Sequence, residues 1–249
     1  MFLLLSNDDG YLSPGLRLMA DALLGEVERL VVMAPDRDCS GASHSLTLKR
    51  PLNVNEHDGI IYSVDGTPSD CVYLGVGGYF DAKPDMVISG INRGANLGDD
   101  VMYSGTVAAA FEGRHLGLPA IAVSCDSHKP EHFADAAKVV VDLFRHLREH
   151  PLPADTLLNV NIPDRAYGDI KGFRTTVLGQ RDAPESLIET HDPRGRKLFW
   201  IGPPGKVSAG GEETDFHAVA NGYVSVTPLQ FDLTRHRQMH DVQQWLEGI

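Results

Sequence analysis

Six short, nearly uninterrupted apolar runs alternate with helical segments over the first two thirds of the chain, and that alternation leaves few folds open. The runs are MFLLLS (1–6), RLVVMAPD (29–36), IIYSVD (60–65), PDMVISGIN (84–92), LPAIAVSC (118–125) and TLLNVNIP (156–163). Strands that are apolar at consecutive positions suit burial on both faces, as in a parallel sheet covered by helices. Parallel neighbours need crossovers, and helix signals stand where crossovers are required. Ser13 and Pro14 suit a helix start and Gly25 its end, with Leu16, Met19, Ala20, Leu23 and Leu24 on one face. Thr67, Pro68 and Asp70 open a second helix, TVAAAFEGRHLG a third, and Glu131 to His150 a long fourth. The pattern predicts an α/β fold, a mostly parallel sheet flanked by helices.

From Gly168 the character changes. The stretch 175–204 carries turn signals, DAPE (182–185) and DPRG (192–195), between strand-like segments, and predicts an appended β-hairpin. YVSVTPLQFDLT reads as a late strand and HDVQQWLEGI as a terminal helix. Residues 1–167 are therefore expected to form the core, and 168–249 an extension that does not fold independently.

The first strand runs into Asn7, Asp8, Asp9 and Gly10. Asp-Gly after an apolar run is a hairpin signal, but the next segment is a helix, so the two acids are expected at the end of a parallel strand. Ligands bind outside the carboxyl ends of such strands. Two further polar loops begin there, Asp36 to Ser45 and Asn92 to Thr106. Carboxylates, a serine hydroxyl and asparagine amides are hard oxygen donors that suit Mg²⁺, Mn²⁺ or Ca²⁺ better than zinc. A cation would also offset the repulsion between Asp8 and Asp9. Ser104, Gly105 and Thr106 precede a helix whose N-terminal N–H groups make a phosphate cradle, with Asn96 in the Gly-rich loop before it. Acids outnumber bases 34 to 22, which argues against long nucleic acid as a partner. The start lacks the basic region of a signal peptide, and no run approaches a membrane span. Three scattered cysteines suggest a reducing compartment. A soluble, cytoplasmic protein is expected.

NDDG (7–10), APDRDCSGASHS (34–45), GTPSDC (66–71), SGINRGANLGDDVMYSGTVAAAFEG (89–113) and VTPLQFDLT (226–234) together resemble the SurE family of metal-dependent nucleotidases. The resemblance implies that Asp8, Asp9, Ser40 and Asn92 ligate one divalent metal, Mg²⁺ or Mn²⁺ foremost. It implies a Rossmann-like core, and a C-terminal hairpin and tail exchanged between subunits of a homodimer or homotetramer. The expected reaction is hydrolysis of nucleoside 5′-monophosphates, with 3′-monophosphates and short polyphosphate as further substrates. Asp8 and Asp9 are the expected catalytic residues; Asn96, Ser104, Gly105 and Thr106 would hold the phosphate.

Other features are weighed against this. His236 and His240 lack the intervening Glu of a zinc-protease helix and read as a solvated face. Asp99 and Asp100 read as loop or cap residues, and His44 as a surface histidine with a hydrogen bond. Cys39 has no basic partner to activate it. Two rival readings remain. An aspartyl-phosphate phosphatase would usually carry an acid two residues after its nucleophile, where Asp8-Asp9-Gly10-Tyr11 has none. A non-catalytic nucleotide sensor would bind nucleotide without releasing phosphate.

Overall fold

A computed structural model describes residues 1–183, 186–202, 204–208 and 210–249. Its strands are β1 (Phe2–Ser6), β2 (Arg29–Pro35), β3 (Val54–Glu56), β4 (Ile61–Val64), β5 (Met86–Arg93), β6 (Ala120–Asp126), β7 (Leu157–Pro163), β8 (Phe173–Thr175), β9 (Ile188–His191), β10 (Lys197–Trp200) and β11 (Val224–Leu229). The helices are α1 (Pro14–Leu23), α2 (Pro68–Leu74), α3 (Gly105–Glu112), α4 (Phe133–Glu149), α5 (Asp215–Ala220) and α6 (Met239–Leu246). Nine strands form one sheet in the order β3-β4-β2-β1-β5-β6-β7-β11-β8. The six predicted runs are the parallel block β4-β2-β1-β5-β6-β7. β3 and β11 each pair antiparallel with the block, on β4 and β7.

Alternation along β1 explains the two-sided burial. Leu3 and Leu5 pack into one core cluster with Leu16, Met19 and Leu23 of α1 and with Val140 and Phe144 of α4. Phe2 and Leu4 face the other side, against Cys71 and Val72 of α2 and Ala109 of α3. Successive side chains on a strand point to opposite faces, so each central strand serves both layers. α2 begins as its residues predict. Thr67 accepts from the Asp70 N–H, and the Asp70 carboxylate accepts from the Thr67 N–H, a reciprocal capping box.

The predicted hairpin is present as β9 and β10, an exposed antiparallel pair. Its DPRG turn closes around Asp192, whose carboxylate accepts from the Arg194 and Arg196 N–H groups, with Gly195 at φ +78°. The DAPE turn falls partly on Pro184 and Glu185, outside the described residues. Three short elements had no sequence signal: β3, β8 and α5. Residues 168–249 add β11 and β8 to the main sheet, with β8 parallel to β11. Among the described residues, no helix is long and apolar enough to cross a membrane.

Candidate active site

Strand order reverses between β1 and β5, because the chain runs outward from β1 to β2 and β4 and then returns to β5 on the other side. At such a switch point the loops leaving the two strands part and open a crevice. Asp8 and Asp9 follow β1; Asn92 and Arg93 end β5.

The NDDG segment is a strand end and a turn at once. The Asn7 amide donates to the Gly10 carbonyl (3.1 Å) and to Ser13 Oγ (2.6 Å), and its oxygen accepts from the Gly10 N–H (3.2 Å). Gly10 sits at φ +97°, where a side chain would be strained. Ser13 occupies the N-cap position of α1 as expected, but its hydroxyl is taken by Asn7 and makes no capping bond. Asn7 thereby fixes the direction in which the two acids leave the sheet.

Asp8 is buried, and its carboxylate accepts from the Thr106 hydroxyl at the start of α3. Burial raises its pKa in spite of that bond. A Cβ on Gly105 would stand 2.8 Å from the Asp8 Cβ, so glycine lets the helix start approach the acid this closely. The Asp9 carboxylate accepts from the Arg93 N–H at 3.0 Å, with the Arg93 guanidinium 3.7 Å away. Burial, helped by the Asp8 charge, pushes Asp9 up to about 6, against the pull of Arg93. Two adjacent carboxylates so placed are electrostatically short of positive charge.

Asn92 reaches this place through an irregularity. The register of β5 on β6 shifts between Ser89 and Asn92, and Gly90 adopts φ +137°. Such bulges re-aim side chains next to sites. The Asn92 Nδ2 donates to the Gly94 carbonyl (2.9 Å), which leaves Oδ1 as a lone acceptor. Ser40 lies on the loop after β2, which the Cys39 N–H ties to the Asp8 carbonyl (2.8 Å). Its own N–H and hydroxyl both donate to Asp38 (2.8 and 2.6 Å).

Asp8, Ser40, Asn92, Arg93, Asn96 and Ser104 line one cavity of about 430 Å³. Asp9 borders a neighbouring groove that Arg93 and His128 also line. A larger cavity of about 740 Å³ adjoins through Ala95, Asp100 and His128. Of the expected metal-ligand and phosphate residues, Asp8, Ser40, Asn92, Asn96 and Ser104 thus share this cavity, Asp9 lies in the adjoining groove, and Gly105 and Thr106 are buried at the start of α3 against Asp8. Ser104 caps α3 by accepting from the Val107 N–H, and Thr106 points to Asp8. Asn96 is held from within: its Nδ2 donates to Ser124 Oγ, while Asn159 and Asn161 of β7 bracket its backbone.

The weighed features resolve individually. Asp99 and Asp100 grip Arg181, Asp100 through the guanidinium at 2.7 Å and Asp99 through the backbone N–H. His44 contacts Glu112 at 2.5 Å. His236 and His240 are exposed, and His236 pairs with Asp232. Burial raises the Cys39 thiol's pKa, the opposite of activation. Among the described residues, no group of three or more His, Cys, Asp or Glu could hold a metal. A cation here would rest on two carboxylates completed by neutral oxygens.

Sequence reasoning missed Asn159, Asn161, Arg93, Arg181 and Asp215. The first two carried a usable signal: asparagines in an otherwise apolar central strand must find partners when buried. Asp215, fully buried, accepts from the Gly98 and Gly179 N–H groups and so pins the Asn92–Thr106 loop to the C-terminal region.

The family model described as Survival protein SurE matches residues 3–185. The 5′-nucleotidase SurE of Dichelobacter nodosus is 56% identical over 249 residues, covering 100% of both chains. That of Methylococcus capsulatus is 54% identical over 248 residues, covering 100% of this chain and 98% of that one. The crystal structure of the SurE protein from Aquifex aeolicus superposes with a TM-score of 0.87 at 46% identity, covering 99% of this chain and 100% of that one.

Proposed function

Because this chain belongs to the SurE family, we propose that it is a divalent-metal-dependent 5′-nucleotidase, a phosphoric monoester hydrolase acting on nucleoside 5′-monophosphates. The observation that carries the reading is the meeting of Asp8 with the start of α3, with Asp9 beside it on Arg93, at the switch point between β1 and β5.

The residues fit a hard cation. Asp8 and Asp9 supply charge, the Asn92 Oδ1 has no hydrogen-bond partner among the described residues, and the Ser40 hydroxyl oxygen keeps lone pairs beside Asp38. Asp8, Asp9, Ser40 and Asn92 would hold the ion. When bound, it supplies Lewis acidity toward the phosphoryl oxygens and acidifies a water. The chain does the remaining work. Thr106 holds the Asp8 carboxylate and the Arg93 N–H holds that of Asp9, and one of the two carboxylates accepts the proton of the attacking water. Ser104, Gly105 and the first N–H groups of α3, which have no carbonyl partner within the helix, receive the phosphate. Asn96 shapes the cavity wall behind it, and charge developing on the phosphoryl oxygens meets donors already in position.

The same reading takes in 3′-monophosphates and short polyphosphate as further substrates, a cytoplasmic site of action, and a homodimer or homotetramer. In support of assembly, the β9–β10 hairpin carries exposed Phe199 and Trp200 with Ile201 just after it, and α6 carries exposed Trp245 with Ile249 just after it. The test is phosphate release from every nucleoside 5′- and 3′-monophosphate, with chelator and then with Mg²⁺, Mn²⁺ or Ca²⁺ restored. Metal-restored release from 5′-monophosphates is expected; release that chelator does not suppress would refute metal dependence.

A further inference from the structure

Arg93 ends β5, one residue after Asn92, and its backbone and side chain are held differently. The backbone N–H donates to Asp9 at 3.0 Å. The guanidinium lies at longer range, 3.7 Å from Asp9 and 3.4 Å from Asp38, and the side chain is half exposed. It lines both the 430 Å³ cavity and the groove that holds Asp9. Among the described residues lining that cavity, it is the only Lys or Arg. The other charged residues there are Asp8 and Asp100, and Asp100 is already paired with Arg181.

A phosphate dianion entering this cavity would therefore meet carboxylates, helix N–H groups and one side-chain cation. A guanidinium presents a planar fork that matches two phosphoryl oxygens. The same guanidinium lowers the electrostatic attraction that Asp9 and Asp38 exert on any other cation.

We infer that Arg93 has two alternative partners: its guanidinium, held between Asp9 and Asp38, competes with the divalent cation for Asp9, and, released from them, it binds the phosphoryl group of the substrate. The inference rests on the metal reading above. It makes Arg93 a substrate-contacting residue that weakens metal binding while strengthening phosphate binding. Two such effects of opposite sign would not arise from a purely structural role.

The test is calorimetric, on wild type, Arg93→Ala and Arg93→Lys. Side-chain replacement keeps the backbone N–H bond to Asp9, so the folded state should survive; matching thermal melts will verify this. Titrated with Mn²⁺ alone, R93A should bind about three- to tenfold more tightly than wild type, and the difference should shrink at about 1 M salt. Titrated with inorganic phosphate in saturating Mn²⁺, R93A should bind about tenfold more weakly. R93K should keep wild-type Mn²⁺ affinity and fall between the two for phosphate, since it retains the charge without the fork. Unchanged or weaker Mn²⁺ binding by R93A would overturn the inference, as would unchanged phosphate binding. If the wild type itself bound no Mn²⁺, the metal reading would fall first and this inference with it.

Discussion

Replacing Thr106 with Val should destabilise the protein in a way that depends on pH. Thr106 is fully buried, Asp8 is 4% exposed, and the Thr106 hydroxyl donates to the Asp8 carboxylate. Valine fills nearly the same volume, so the change removes the donor and little packing. A hydrogen bond to a buried charged group contributes about 1.5–3 kcal/mol, and water cannot readily replace it here. Burial has already raised the pKa of Asp8, so folding favours its protonated form. Losing the Thr106 donor raises it further. The added penalty is therefore full when Asp8 is ionised, above its folded pKa, and fades as pH falls toward the ordinary carboxylate range. Urea denaturation of wild type and T106V, with divalent ions chelated, should show a loss of about 2 kcal/mol at a pH above the folded pKa of Asp8 and under about 1 kcal/mol at a pH below it. A loss equal at both pH values, or none at either, would refute the claim that this bond serves a buried ionised Asp8.

Gly90→Ala should cost at least about 3 kcal/mol, because its Cβ would sit 2.3 Å from the Val123 carbonyl oxygen at φ +137°; a melt superposable on wild type would contradict this. Asn161→Leu strips the Asn96 N–H of its partner and the Asn96 carbonyl of one of its two donors. It should lose about 2–3 kcal/mol in denaturant titration and lower turnover as well, since it loosens the cavity wall. Arg181→Ala releases the Asp100 carboxylate while keeping the backbone N–H bond to Asp99 and should raise KM for a nucleoside monophosphate about threefold or more; unchanged steady-state constants would show that the Asp100 pairing does not position the loop.

The parallel block could be read from the sequence because its strands are buried on both sides, and burial leaves long apolar runs. The helices between them could be read from caps and periodicity, as Thr67 and Asp70 show. What escaped had no such signature. β8 is a three-residue strand with the pattern exposed, half-buried, exposed, and it exists only because β11 presents an edge to it. Its place, and that of β11, are set by tertiary pairing.

The site divides the same way. Asp8, Asp9, Ser104 and Thr106 stand out because polar residues interrupt the pattern where strands end and a helix begins. Arg93 did not stand out, since a lone arginine in a polar loop looks like solvated surface until the fold brings Asp9 and Asp38 beside it. Asp215 lies 117 residues from the Gly98 N–H it accepts. No local pattern announces a bond of that range.

The central claim is that Asp8 and Asp9 are the carboxylates of a metal-dependent nucleotidase centre. Its most direct test is phosphate release from a nucleoside 5′-monophosphate by Asp8→Asn and Asp9→Asn, in saturating Mn²⁺ and alongside wild type. Each amide keeps the shape of the acid but loses its charge and part of its capacity as a ligand. The account predicts folded variants whose metal-dependent turnover falls by at least about a hundredfold. Wild-type turnover in either variant would contradict it.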